Sequence, residues 1–192
     1  MDSGASAHPT SSRPPANRDE FATELWKSAK IEEPGVAICL YRRFRKQCAG
    51  REFRLFERWV DRHVTNWANC DGVSPWLLAA CLENEPALIR RLPAWTRSGN
   101  RWKRRAAIVS LLQEAKQGRH TAAILDIAAK LLGAPDDMVQ KGVGWVLKEA
   151  YPKRPREVVA FLKPRAATTP RLVLRIAAEK MTAGDRATVL AK

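Results

Sequence analysis

Apolar side chains recur with helical spacing along almost the whole chain. No segment alternates apolar and polar positions convincingly with period two, and no Asn-Gly type turn joins two apolar runs, so the sequence does not predict strands. The periodicity predicts helices at 19–29, 34–47, 51–67, 72–83, 86–96, 100–117, 121–133, 136–150, 155–162, 169–181 and 184–191. Asp136 begins the segment 136–150 and can cap it. The fold class indicated by this pattern is all-α.

The spacing of tryptophans suggests how the helices are arranged. Trp26, Trp67, Trp102 and Trp145 recur at intervals of about 40 residues, which is typical of two-helix HEAT-type repeats. Because each short helix pair needs a neighbour to bury its apolar face, we expect an α-solenoid of about five pairs with a concave basic groove. A compact all-α bundle is the alternative.

The charge of the chain indicates the kind of partner. The 192 residues include 34 Lys and Arg against 20 Asp and Glu, for a net charge of +14. Basic residues dominate two blocks, 86–120 and 139–175. Single-sign blocks within a folded region favour a polyanionic partner such as nucleic acid over a protein scaffold role, although solvated surface charge is the simpler explanation.

Composition also bears on domains and location. Residues 1–18 are rich in Ser, Ala and Pro without an apolar run, which predicts a flexible tail followed by a single domain over 19–192. No apolar run is long enough to span a bilayer. The four cysteines form no CxxC pair and no His has zinc-ligand spacing, so we expect reduced thiols, no metal, no cofactor and a cytoplasmic protein. A monomer is the default expectation.

The segment 139–152 has an unusual distribution of side chains. On a helix, Val139, Val143 and Val146 form an apolar stripe, whereas Trp145 lies about 140° away from its centre. A tryptophan on a polar helix face is either covered by a neighbouring helix or available to a ligand. Gly142 is a further anomaly, because glycine within a helix usually marks a close approach to the backbone.

Three more residues are candidates for a site. Arg105 lies about 40° from the centre of an apolar helix face, so it must either pair with an anion or extend its charged end to solvent. Trp67 continues the stripe of Phe56 and Val60, which predicts a core position. Asp71 comes at the expected break before the next helix, where it is either an N-cap or a carboxylate presented in the groove.

Together these segments resemble a known family. WANCD (67–71), WKRRAAIV (102–109) and VQKGVGWVLKE (139–149) are similar to the signature segments of the AlkD-type DNA alkylation repair glycosylases, which are HEAT-like-repeat proteins. LWKSAKIEE (25–33), RPREVVAFLK (154–163) and the helix at 169–181 fit as well, so the resemblance covers roughly 20–181. In that family another helix pair usually precedes the LW segment, and a third aromatic belongs to the site. Phe44 is the nearest candidate here.

The resemblance implies an activity and a role for each site residue. It implies hydrolysis of the N-glycosidic bond of N3- or N7-alkylated purines in duplex DNA, without flipping the base into a pocket. Asp71 would be the catalytic carboxylate, Trp67 and Trp145 would flank the deoxyribose, and Arg105 would bind DNA backbone. Further phosphate contacts are expected from basic residues of the groove, namely Lys141, Lys148, Arg104, Arg101, Arg154 and Arg171. The alternative is a catalytically inactive relative that binds nucleic acid.

Overall fold

The computed structural model describes residues 16–27, 30 and 32–191, and within them it contains helices and no strands. The α-helices are α1 (Ala16–Lys27), α2 (Glu33–Arg43), α3 (Gly50–Arg62), α4 (Trp67–Val73), α5 (Ala79–Asn84), α6 (Leu92–Trp95), α7 (Arg101–Val109), α8 (Leu112–Gln117), α9 (Thr121–Leu131), α10 (Asp137–Ala150), α11 (Pro155–Leu162), α12 (Arg171–Ala177) and α13 (Ala183–Leu190). Most of the predicted tail, residues 1–15, lies outside the described residues; helix α1 begins at Ala16.

The helices pack in a superhelical arrangement, which confirms the predicted fold class. One layer consists of α2, α4, α7, α10 and α12, and each of these helices contacts the next. Behind this layer α3 contacts α5, α6 contacts α9, and α11 contacts α13. No helix among the described residues is long and apolar enough to cross a membrane.

Helix α10 lies between α7 and α12 in the first layer and is held there by its apolar stripe. Val139, Val143 and Val146 are completely buried, as predicted, and each such side chain contributes about 1.5–3 kcal/mol through burial. Asp136 caps the helix, because its Oδ1 accepts hydrogen bonds from the N–H groups of Met138 at 2.9 Å and Val139 at 3.3 Å. The helix that carries Trp145 therefore has a fixed start and a fixed buried face.

The predicted helix over 51–67 is wrong at its end, and this changes the position of Trp67. Helix α3 stops at Arg62, and Asn66 starts α4 by accepting a hydrogen bond from the Asn69 N–H at 2.9 Å. Asparagine is among the strongest N-caps, so the chain begins a new helix there instead of extending the old one. Trp67 leaves the stripe of α3 and is 60% exposed, so the predicted core position is wrong.

The predicted break before residue 72 is also absent. Helix α4 runs through Asp71, which is therefore not an N-cap, and continues through a π-helical segment, Ser74–Leu78, into α5. In this segment the Ala79 N–H donates to the Ser74 carbonyl, five residues back instead of four. The widening coincides with Pro75, which has no N–H to donate to the carbonyl four residues earlier.

Two other predicted helices are interrupted. The segment predicted over 100–117 divides into α7 and α8, and the buried Ser110 hydroxyl donates to the Ala106 carbonyl at 2.6 Å at the junction. Serine bonds of this kind bend helices.

The segment predicted over 86–96 begins as a 3₁₀ helix, Pro86–Arg91, before α6. Gly118, with φ of 69°, ends α8 in the left-handed conformation that glycine adopts without strain.

Candidate active site

A carboxylate–guanidinium pair joins α4 to α7. Arg105 is 5% exposed, and its Nε and Nη2 groups donate to Oδ1 and Oδ2 of Asp71 at 2.9 and 2.8 Å. This two-point geometry is the strongest form of Arg–carboxylate contact. The sequence left two outcomes for Arg105, an anionic partner or a charged end extended to solvent, and in the structure it is buried and paired with Asp71. The Asp71 side chain keeps 19% of its surface exposed, so the pair can be reached from solvent.

A third helix closes around the same arginine. The Nη1 group of Arg105 donates to the carbonyl of Met138, in the first turn of α10. One turn later, a Cβ on Gly142 would lie 3.3 Å from both Cγ and Nη1 of Arg105. Glycine at this position therefore leaves room for the arginine side chain between α7 and α10. The arginine brings α4, α7 and α10 together at one point.

Gly144, the second glycine of α10, leaves room for a different neighbour. A Cβ on Gly144 would lie 2.8 Å from Cβ of Ile176 and 3.1 Å from the carbonyl oxygen of Val173. Both atoms belong to α12, so Gly144 allows close packing of α10 on α12. Gly142 and Gly144 therefore reflect two helix–helix contacts on two sides of α10.

The two candidate tryptophans differ in environment. Trp67 is 60% exposed and lies one helical turn before Asp71 on α4, so both side chains lie on the same side of that helix. Trp145 is partly buried and packs against the hydrophobic core. It follows Gly142 by three residues on α10 and so lies near the side of this helix that faces Arg105. Phe44 contacts the guanidinium of Arg18, whose Cζ is 4.4 Å from its ring centre.

Cys70, next to Asp71, is not available as a nucleophile. Its thiol is buried, 3.6 Å from the Trp102 carbonyl and 3.7 Å from the Ser74 hydroxyl. Burial raises the pKa of Cys70 to about 12, so the thiol stays protonated near neutral pH. Across the described residues no group of three or more His, Cys, Asp and Glu side chains is arranged to hold a metal ion. The group next to Cys70 that remains available for chemistry is the carboxylate of Asp71.

The six predicted phosphate-binding residues are all engaged within the protein. Four form ion pairs, Arg101 with Asp136 (3.1 Å), Lys141 with Asp137 (2.9 Å), Lys148 with Glu179 (2.8 Å) and Arg154 with Glu157 (3.7 Å). Arg154 also donates to the backbone carbonyl of Gly118 (2.9 Å), and the remaining two donate to carbonyls, Arg104 to Ser98 (2.6 Å) and Arg171 to Leu190 (3.1 Å). Each stays at least partly exposed. The hydrogen bond from Lys141 lowers the pKa of Asp137. Binding of phosphate by these residues stays a prediction.

Sequence reasoning missed two contributors to this site. The Met138 carbonyl has no side-chain signature, so nothing in the sequence identifies it. Asn66 does have a signal, because an Asn three residues before the amide that it caps is a standard helix start. That signal would have placed Trp67 at a first helical turn, where side chains are often exposed.

The fold and the candidate site describe an all-helical superhelix with an exposed tryptophan on the same helix as a paired carboxylate, and comparison with known proteins identifies its family. The model of the family described as DNA alkylation repair enzyme matches residues 6–181. The chain therefore belongs to the DNA alkylation repair enzyme family, whose substrate is DNA.

Known structures agree on the fold. A solved structure described as a predicted DNA alkylation repair enzyme from Enterococcus faecalis is similar to this chain, with a TM-score of 0.78 and 17% sequence identity. The similarity covers 89% of this chain and 78% of that one. The comparison with curated proteins gives no match.

Proposed function

We propose that the protein is a DNA glycosylase that hydrolyses the N-glycosidic bond of cationic N3- or N7-alkylated purines in duplex DNA without flipping the base. The observation that supports this most is the environment of Asp71. Its carboxylate is fixed by two N–H groups of Arg105, keeps part of its surface exposed, and follows the exposed Trp67 by one helical turn. We expect the protein to act as a monomer in the cytoplasm, on the nucleoid.

The proposed reaction needs little from the protein beyond charge and position. A purine alkylated at N3 or N7 carries a positive charge, so it leaves with the electron pair of the C1′–N bond as a neutral base and needs no general acid. The deoxyribose becomes oxocarbenium-like, as in sugar hydrolysis. A water molecule then adds to C1′ and loses its proton to solvent or to the carboxylate. Asp71 stabilises the cation electrostatically and orients the water.

Arg105 has two functions in this proposal. Three of its five N–H groups hold Asp71 and the Met138 carbonyl, which fixes the orientation of the carboxylate. Two N–H groups remain, and we propose that they contact a phosphate beside the lesion. The flat faces of Trp67 and Trp145 stabilise the positive charge that develops on the sugar. Because the lesion is held through its sugar and phosphates, the base can stay in the stack.

The experiment measures free base released from duplex DNA that contains 7-methylguanine, with protein in excess over DNA. We expect release by the wild type and a loss of at least about 100-fold for Asp71→Asn, the scale reported for loss of one electrostatic stabiliser. Asp126→Asn is the matched control, since Asp126 is an exposed carboxylate paired with Lys130 on α9. Release by Asp71→Asn at the wild-type rate would refute the role of Asp71.

Trp67→Ala provides a second variant that does not depend on Asp71. Because Trp67 is 60% exposed, its removal should leave the thermal midpoint nearly unchanged while slowing base release. Absence of release by the folded wild type, at stoichiometric protein, would refute the enzyme proposal altogether.

A catalytically inactive DNA-binding relative is the second candidate. The observation that favours it is that both oxygens of Asp71 already accept hydrogen bonds from Arg105, as in a purely structural ion pair. In that case duplex binding would persist without base release, and Asp71→Asn would change stability alone.

A further inference from the structure

A groove with an aromatic side chain and several arginines lies outside the Asp71–Arg105 site. It has a volume of about 560 Å³ and is lined by the end of α2 and the turn after it, by the π-helical segment and by α8. Its lining includes Arg42, Arg43, Arg45, Trp76 and Gln113. The π-helical segment continues the helix of Asp71, and α8 follows the helix of Arg105, whereas α2 belongs to neither. The groove and the candidate active site therefore share two stretches of chain.

The arginines of this groove hold no anionic partner within the described residues, although Arg42 stacks on Trp76. Within the part of the chain that the structure describes, the side chains of Arg42, Arg43 and Arg45 form no ion pair or hydrogen bond. This contrasts with the six predicted phosphate-binding residues, each of which has a partner in the protein. Among the described residues that line the groove, Glu83 supplies the single carboxylate. The groove therefore offers an anion guanidinium groups that hold no anion within the described residues.

Trp76 adds a flat apolar surface to this charge. Its side chain is 43% exposed, and the Arg42 guanidinium lies over the indole with Cζ 4.4 Å from the ring centre. The contact orients the indole, which the π-helical segment projects from the helix. π-Helical turns are frequent at functional sites. An exposed indole beside unpaired arginines is the combination that binds a base together with its phosphate.

We propose that this groove binds an unpaired nucleotide of a DNA strand, with Trp76 stacked on the base and the arginines on the flanking phosphates. An unpaired base is favoured over a duplex because bases within a duplex already stack on each other and offer no free face to the indole. Trp76 follows Asp71 by five residues, about 7 Å along the helix. The groove and the proposed reaction site therefore lie on the same helical run. It binds undamaged strands too, so it does not depend on the glycosylase activity.

The test measures the affinity of the full chain for an undamaged oligothymidylate of about ten nucleotides, by fluorescence anisotropy. We expect Trp76→Ala to weaken binding by about 5- to 30-fold, and Trp76→Phe to retain most of it. Phe21→Ala is the matched control, because Phe21 is a 54% exposed aromatic on α1. A loss of less than twofold with an unchanged thermal midpoint would overturn the proposal.

The arginines are tested by salt dependence. Arg42→Gln with Arg43→Gln should make the slope of log affinity against log salt shallower by about 1.4, whereas Trp76→Ala should leave this slope unchanged. Arg58→Gln is the control, since Arg58 is exposed on α3 outside the groove. An unchanged slope in the double variant would show that the arginines do not contact phosphates and would overturn that part of the proposal.

Cys39 reports directly on occupancy of the groove, because it lines the groove and is the exposed cysteine among the four. Saturating oligothymidylate should slow the alkylation of Cys39 by neutral iodoacetamide, and thymidine monophosphate should do so only at much higher concentration. If a fully paired blunt duplex protects Cys39 equally in the wild type and in Trp76→Ala, stacking of Trp76 on an unpaired base is refuted. If the wild type releases no base but still binds oligothymidylate and shows protection of Cys39, the proposed glycosylase function is refuted and the groove proposal stands.

Discussion

The coupling between Asp71 and Arg105 can be measured with a double-mutant cycle. Asp71→Asn keeps one acceptor for Arg105 but removes one of two charge-assisted hydrogen bonds, each worth about 1.5–3 kcal/mol. Arg105→Met keeps most of the aliphatic volume and removes the buried charge together with its three hydrogen bonds. We expect each single variant to lose about 2–3 kcal/mol of unfolding free energy.

The double variant should lose less than the sum of the two. Once Asp71 is neutral, loss of Arg105 no longer leaves an unpaired charge, so the coupling energy should be about 1.5–3 kcal/mol. For a chain of this size, a loss of 2–3 kcal/mol lowers the thermal midpoint by about 5–12 °C. Urea unfolding followed by tryptophan fluorescence provides the free energies, and circular dichroism provides the midpoints.

An exposed ion pair is the control for this cycle. Asp126 and Lys130 on α9 are paired, but their side chains are 51% and 44% exposed, so their coupling should stay near 0.3–0.5 kcal/mol. Additive effects of Asp71→Asn and Arg105→Met, within about 0.5 kcal/mol, would refute the claim that the two side chains stabilise each other.

Four further predictions concern single positions. Gly144→Ala should cost about 1–3 kcal/mol in urea unfolding because its Cβ would collide with α12, whereas Gly184→Ala, which meets nothing within 4 Å, should not destabilise. Asp136→Ala should cost about 1 kcal/mol by removing the cap of α10. Trp67→Ala should reduce base release without lowering the thermal midpoint. Because the pKa of Cys70 is raised by burial to about 12, stability should fall as pH rises above 9, and less steeply in Cys70→Ala.

Much of the fold was predictable because most of these helices have strong periodic stripes. The stripe of Val139, Val143 and Val146 fixed both the extent of α10 and its buried face. The sequence also placed Arg105 near the centre of an apolar helix face, but it left open whether its charged end was buried or reached solvent. The segment from Arg62 to Asp71 was not predicted correctly, because its apolar positions continue the rhythm of α3. There a local cap from Asn66 outweighs the longer periodicity.

The partner of Arg105 could not be predicted from the residues alone. Asp71 is 34 residues earlier in the chain, and only the contact of α4 with α7 brings the two side chains together. For the same reason the residues alone could not predict that Arg105 donates to the Met138 carbonyl or that Arg42 contacts Trp76. Sequence periodicity shows which face of a helix is buried, but it does not show which helix lies against that face.

The π-helical segment determines the register of the helical run from Trp67 to Asn84. A π turn holds one residue more than an α-helical turn, so every side chain after Leu78 is rotated relative to a continuous α-helix. This rotation lets α4 direct Asp71 towards Arg105 while α5 directs Cys81 and Leu82 into the core. Deletion of one residue from the segment would rotate α5 by about 100° relative to α4. The alignment of the site with the core therefore depends on a single inserted residue.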